Sequence, residues 1–234
     1  LKVAIMQPYF FPYLGYFQLM SAVDHFVIYD DAQYMKGGWV NRNRLLYNGK
    51  ARWWTRPVEH ANFRLPIMQR SYSAEQHTDA LVAQMNMCYA ESPHYLATAA
   101  FISEILASEE RNIAIYNEML LVAVARHLGL RCTFSRASEL DIGPIGGQEK
   151  VIQICRALGA TCYVNMIGGR PLYSRQAFAK AGIDLVFLQP ELAPYEQFGK
   201  PFVAGLSVVD ALMFNSIPTV RTLCEQLTLT DRQS

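Results

Sequence analysis

Two short apolar runs near the amino end, residues 3–6 and 26–29, flank a stretch with helical character at about residues 14–23. Gln7-Pro8 stops the first run, and the carboxylates Asp30 and Asp31 end the second. Strand, loop, helix, strand is a βαβ unit, which requires parallel pairing and a right-handed crossover. Asn48-Gly49 lies between residues 44–47 and 51–55 and predicts a hairpin, because type I′ turns favour that dipeptide. Helical patterns follow. One starts at Ser73-x-x-Gln76, which reads as a capping box, and runs to about residue 90; the next spans about 93–108; the third spans about 112–128 and stops at Gly129. The last third alternates again, with strands at about 130–134, 161–164 and 183–188 and helices at about 147–158 and 174–181, then a helical tail to about 227 broken near Pro218. The expectation is one α/β domain over residues 1–234, with about five parallel strands in a Rossmann-like nucleotide-binding sheet, a hairpin, and a helical insertion or subdomain at 73–128.

With 51% apolar and 18% charged residues, the chain buries enough surface to exclude disorder as its main state. Lys plus Arg number 21 and Asp plus Glu 20, so the net charge is +1 and an extensive nucleic-acid surface is not expected. The apolar opening at residues 1–6 is too short for a secretion signal, and no apolar run reaches membrane-spanning length. Five cysteines without CxxC spacing read as reduced thiols. Together these features predict a cytoplasmic protein without a membrane partner.

In open parallel sheets, ligands bind beyond the carboxyl ends of the strands. Three segments fall there. In the first, residues 7–17, Gln7, Tyr13, Gly15 and Tyr16 are candidate ligand contacts: Gly15 at a helix start lets backbone approach an anion, and the rings offer stacking surfaces. Phe17 reads as core, and Phe10 and Phe11 as core or stacking surface. The second segment, residues 30–44, crowds Asp30, Asp31, Gln33, Lys36, Trp39, Asn41, Arg42 and Asn43 into one loop. Burying such groups costs energy unless each is paired, so a functional role is expected. Asp30 or Asp31 would act as a base or bind ribose hydroxyls or a metal; Lys36 and Arg42 would hold phosphate; Gln33, Asn41 and Asn43 would read hydroxyls or an amide. The third, Gly168-Gly169-Arg170, forms either an anion nest or a tight turn before Pro171. Among the histidines, His77 and His94 stand out. No pair has metal-ligand spacing, and HExxH and GxSxG are absent, so zinc hydrolase and nucleophile-elbow chemistry are not expected and no metal ligands are assigned.

Residues 6–17, 29–34 and 39–44, with His77, Tyr89, the run 92–95, the run 157–161, Gly168-Gly169-Arg170 and the run 206–215, resemble the WbqC-like family along nearly the whole chain. The resemblance implies work among bacterial O-antigen and other surface-polysaccharide genes. The implied substrate is a nucleotide-linked amino sugar, and the implied reaction is N-acyl or aminoacyl transfer from an acyl donor or an aminoacyl-tRNA. Asp30, Asp31 or His77 would take the proton from the attacking amine. A looser similarity, to HIGH-motif nucleotidyltransferases, implies ATP- and Mg²⁺-dependent amide ligation. The two phosphate-binding histidines of that pattern fall at Tyr13 and Tyr16, which cannot carry positive charge at neutral pH. A nucleotide-sugar-binding subunit without catalysis is the third expectation.

Overall fold

In the computed structural model, which describes residues 1–62, 64–75, 77–199 and 201–230, Lys2–Met6 forms β1 at the centre of a six-stranded sheet. After β1 come helix α1 (Leu14–Ser21), β2 (His25–Ile28) and a hairpin of β3 (Arg42–Tyr47) and β4 (Lys50–Thr55). Three helices follow, α2 (Thr78–Tyr89), α3 (Tyr95–Leu106) and α4 (Ile113–His127). The chain then runs through β5 (Thr133–Arg136), α5 (Gly147–Ala157), β6 (Cys162–Met166), α6 (Arg175–Lys180) and β7 (Asp184–Pro190). It ends in α7 (Val208–Phe214), α8 (Ile217–Glu225) and β8 (Leu227–Thr230).

The order is β5-β2-β1-β6-β7-β8, with β8 alone antiparallel. The fold class is α/β and Rossmann-like. Alternate residues of β1 feed opposite faces. Ala4 joins Phe26, Val164 and Leu188 under α1, α7 and α8, whereas Val3 and Ile5 join Val27, Tyr163 and Phe187 under α5 and α6. Burial on both faces explains why these strands are continuous apolar runs. The strand order reverses between β1 and β6, so the crevice beyond their carboxyl ends is the topological switch point.

Three expectations need correction. The tail does not stay helical to residue 227: a short Leu-Thr-Leu-Thr alternation makes β8, pairing along β7 from Leu227↔Pro190 to Thr230↔Phe187. The break expected near Pro218 is there, at Asn215-Ser216, and Pro218 is the second residue of α8, where its missing N–H costs nothing. The strand expected at 130–134 starts at Thr133, because Leu130 still closes α4 through a bond to the Ala125 carbonyl. The helix expected from Ser73 starts at Thr78, and Gln76 of the expected capping box lies outside the described residues.

His25 ties β2 to β5: Nδ1 meets Thr133 Oγ1 at 2.7 Å and Nε2 meets Ser135 Oγ at 2.8 Å. The Thr133 hydroxyl donates to the Asp24 carbonyl, so it accepts from Nδ1, and Nε2 is left to accept from Ser135. That arrangement suits the neutral ring. Burial lowers the pKa of both His25 and His127, the latter stacked 4.0 Å from Phe101. A lowered folded pKa gives stability that is complete above the ordinary histidine range near pH 6.5 and is lost as pH falls through the folded values. Denaturant midpoints should therefore drop as pH falls below about 6.5, and His25→Gln should flatten that slope. An unchanged slope would remove His25 from the account.

Candidate functional site

Past β1 the chain turns across the sheet end as Gln7-Pro8-Tyr9-Phe10-Phe11-Pro12-Tyr13. Phe10 and Phe11 are fully buried, each 5.1 Å from the Trp54 ring, so both are core. Phe11 has φ 39°, left-handed backbone that a bulky residue rarely adopts, at a cost of about 1–3 kcal/mol. The surroundings enforce it. Asn43 Nδ2 donates to the Phe10 carbonyl at 3.1 Å and the Phe11 carbonyl at 2.9 Å, and the Ser207 hydroxyl donates to the same Phe11 carbonyl at 2.8 Å. Fully buried Asn117 bonds the Pro8 and Val40 carbonyls at 2.9 and 2.7 Å and accepts from the Tyr72 hydroxyl at 2.8 Å. The aromatic corner and the Trp39–Asn43 bend are thereby fastened together.

Between them lies a cleft of about 200 Å³ lined by Tyr9, Pro12, Tyr13, Trp39, Asn43, Arg44 and Gly205. Burial raises the pKa of Tyr9, and that of Tyr13 to about 12, so both stay neutral at physiological pH. Arg44 lies 5.3 Å from the Trp39 centroid and donates to the Gly205 carbonyl at 3.0 Å; its Nε is buried without a partner. Trp39 stands 5.5 Å from Trp53, over which Arg42 lies at 4.0 Å. The result is a ladder, Arg44-Trp39-Trp53-Arg42, across one face of the hairpin.

A second cleft, of about 710 Å³, is lined by Lys36, Asn41 and Arg42 together with Tyr34, Glu59, His60 and Arg70. The predicted contacts therefore divide. Tyr13, Trp39 and Asn43 meet in the smaller cleft and Lys36, Asn41 and Arg42 in the larger. Tyr9, Arg44, Gly205 and Arg70 were not singled out from sequence, although Arg44 lies within the motif at 39–44.

Several of the candidate residues have partners within the chain. At Gly15 a Cβ would stand 2.4 Å from the Tyr13 ring, so Tyr13 covers that helix start and the glycine makes room for it. Asn41 accepts from the Tyr34 hydroxyl at 2.9 Å and donates to the Arg56 carbonyl at 2.9 Å, and Asn43 is engaged as described. Both asparagines clamp their own chain while lining a cleft each. Arg42 donates to the Gly37 and Gly38 carbonyls, which leaves it part of its donor capacity. Tyr16 is buried, its hydroxyl donating to the Gln7 carbonyl at 2.8 Å. Gln33 bridges to Pro66.

The proposed bases stand apart from the small cleft. Asp30 is 1% exposed and accepts from the Ser138 backbone N–H at 3.0 Å and the Ser138 hydroxyl at 2.5 Å, so it caps the turn Ala137–Glu139. Asp31 pairs with Lys150 of α5. His77, 3.8 Å from Glu75, lines a separate depression with Arg56 and Arg111. Gly168, Gly169 and Arg170 lie in the short 3₁₀ helix Ile167–Leu172 and line none of these three clefts. A Cβ on Gly169 would stand 2.5 Å from Asn165 Nδ2, so that glycine admits a side chain of its own protein.

Residues 7–222 match the WbqC-like protein family, and the chain belongs to it. It is 30% identical over 221 residues to the uncharacterized protein Rv1507c of Mycobacterium tuberculosis (strain ATCC 25618 / H37Rv), covering 92% of this chain and 93% of that one. No solved structure matches it. Among the described residues, no helix is long and apolar enough to cross a membrane.

Proposed function

We infer that the chain binds a nucleotide-linked amino sugar in the cleft between the aromatic corner and the hairpin, and that it serves bacterial surface-polysaccharide (O-antigen) biosynthesis. The observation that carries the reading is the convergence of Tyr9, Tyr13, Trp39 and Arg44 on one space of about 200 Å³. Sugar rings pack their C–H faces on aromatic rings, neutral phenols donate to ring oxygens, and Arg44 is the cation beside them. N-acyl or aminoacyl transfer to the sugar amine is the reaction implied by the family resemblance. A second reading, a binding subunit without catalysis, is favoured by the engagement of Asp30 by Ser138 and Asp31 by Lys150. ATP-dependent ligation has less support, because a phosphate at the α1 start would have to displace the Tyr13 ring.

The test is a thermal-shift screen of nucleotide-linked sugars, ATP with Mg²⁺, and acyl donors, followed by turnover assays on whatever binds. A ligand at one hundred times its Kd should stabilise the fold by about 2.7 kcal/mol. Gly15→Ala should fold with stability changed by less than about 1 kcal/mol, since alanine suits a helix and only the Tyr13 ring must move. The displaced ring should weaken sugar binding at least tenfold. Unchanged affinity in that variant would remove the small cleft as the sugar site. Tight binding without turnover across acyl donors would select the binding-subunit reading.

A further inference from the structure

The larger cleft is not used by the sugar reading, and its floor holds an uncompensated charge. Arg70 is 6% exposed. Its Nη1 donates to the Ala61 and Asn62 carbonyls at 3.3 and 3.2 Å, its Nη2 donates to the Glu59 carbonyl at 2.9 Å, and its Nε is buried without a partner. The guanidinium lies 4.6 Å from the Tyr34 centroid. All these partners are neutral. Among the described residues no carboxylate pairs with Arg70, Arg42 or Lys36, and the one carboxylate lining the cleft, Glu59, is taken by Arg111. Carbonyl hydrogen bonds orient a buried guanidinium but leave its charge unneutralised, and a buried charge without a counter-charge is costly. Arg42 and Arg70 both act electrostatically on the Tyr34 hydroxyl, so the two cations share one locality.

We propose that this 710 Å³ cleft is an anion site for the phosphate or diphosphate group of a small molecule, with Arg70 as the fixed charge beneath it and Lys36 and Arg42 at its mouth. Three cations outnumber the charge of a single carboxylate, and a diphosphate matches them. The space lies within the roughly 300–1,000 Å³ range of small-molecule pockets, larger than one phosphate needs. Trp39 and Arg44 line the aromatic cleft and Arg42 lines this one, so the Arg44-Trp39-Trp53-Arg42 ladder runs from one to the other. The site does not depend on what the smaller cleft binds.

The probe is inorganic pyrophosphate, measured by calorimetric titration and thermal shift on the full chain. Saturable binding is expected, weakened at least tenfold between about 0.05 and 0.5 M salt. Arg70→Met would release the 59–62 carbonyls and can fail to fold, so Lys36→Gln is the deciding variant: its side chain is exposed and it lines the cleft. Lys36→Gln should weaken pyrophosphate binding three- to tenfold, while Lys50→Gln, exposed at the hairpin turn, should leave it unchanged. Gly15→Ala should also leave it unchanged, which separates this site from the sugar cleft. The proposal is overturned by absence of binding, by equal effects of the two lysine variants, by loss of binding in Gly15→Ala, or by acetate binding as tightly as pyrophosphate.

Discussion

Asn43→Ala should cost the fold about 2–4 kcal/mol, because one side chain there does three jobs in a dry place. Asn43 is 2% exposed. Its amide N–H groups satisfy the Phe10 and Phe11 carbonyls, and its Oδ1 accepts from the Arg44 backbone N–H at 2.9 Å. Alanine strands the Phe10 carbonyl without that partner, and the Phe11 carbonyl keeps only Ser207. It also removes half of the support for the left-handed Phe11 backbone, so the strain can relax and carry the corner out of register with the hairpin. Asn43→Asp tests the chemistry rather than the shape, since a carboxylate would face two carbonyl oxygens and should be at least as damaging at neutral pH. Urea unfolding reads both, with the midpoint falling while the slope stays fixed. Sugar binding should fall with stability, because Asn43 lines the cleft it braces. A loss below about 1 kcal/mol would mean that the corner holds its shape through Ser207 and Asn117 alone.

That clamp marks the limit of what the sequence disclosed. Local chemistry was readable. Residues 3–6 and 26–29 formed strands because both faces of the central sheet are covered, which needs continuous apolar runs. Asn48 and Gly49 take φ values of 49° and 72°, the two left-handed positions that a type I′ turn requires. Strand β8 was not readable: four residues at an edge carry too little pattern, and β7 decides their fate. The crowding of polar groups into residues 30–44 is legible, and that loop borders both clefts. The partner of each side chain is not. An asparagine beside a tryptophan and arginines has the same composition whether it faces a ligand or a carbonyl 33 residues away. Asp30 looks like a base until Ser138 arrives from beyond β5, 108 residues later. Gly15 looks like an anion cradle until the ring of Tyr13, two residues before it, folds over it. Long-range partners decide which polar groups are free, and spacing along the chain does not encode them.

Asp210→Ala should be the other large loss, about 3–5 kcal/mol at acidic pH, with a pH dependence of defined sign. Asp210 is fully buried in the first turn of α7. Its Oδ1 accepts from the Tyr89 hydroxyl at 2.9 Å, and its Oδ2 accepts from the Tyr195 hydroxyl at 2.7 Å and Gln197 Nε2 at 2.6 Å. Tyr89 in turn accepts from the Leu46 N–H at 2.9 Å, and Gln197 holds the Val203 N–H at 2.9 Å. One carboxyl group therefore links α7, the end of α2, strand β3 and the segment leading to Gly205, which lines the aromatic cleft. Alanine leaves the buried Tyr89 hydroxyl and the half-buried Tyr195 and Gln197 donors without this acceptor. Burial is the largest influence on Asp210 and raises its pKa, against the opposing pull of the Tyr195, Gln197 and Tyr89 hydrogen bonds. A folded pKa above the unfolded value near 3.9 means that the native state binds the proton more tightly. Its titration therefore contributes stability that is complete below the unfolded pKa and declines as pH rises through the folded one. The variant lacks this dependence, so the stability gap between the two proteins should be wider at pH 4 than at pH 7. Paired urea titrations at both pH values decide it: a gap that widens toward pH 7 would show that the three donors outweigh burial and hold Asp210 as a stable carboxylate.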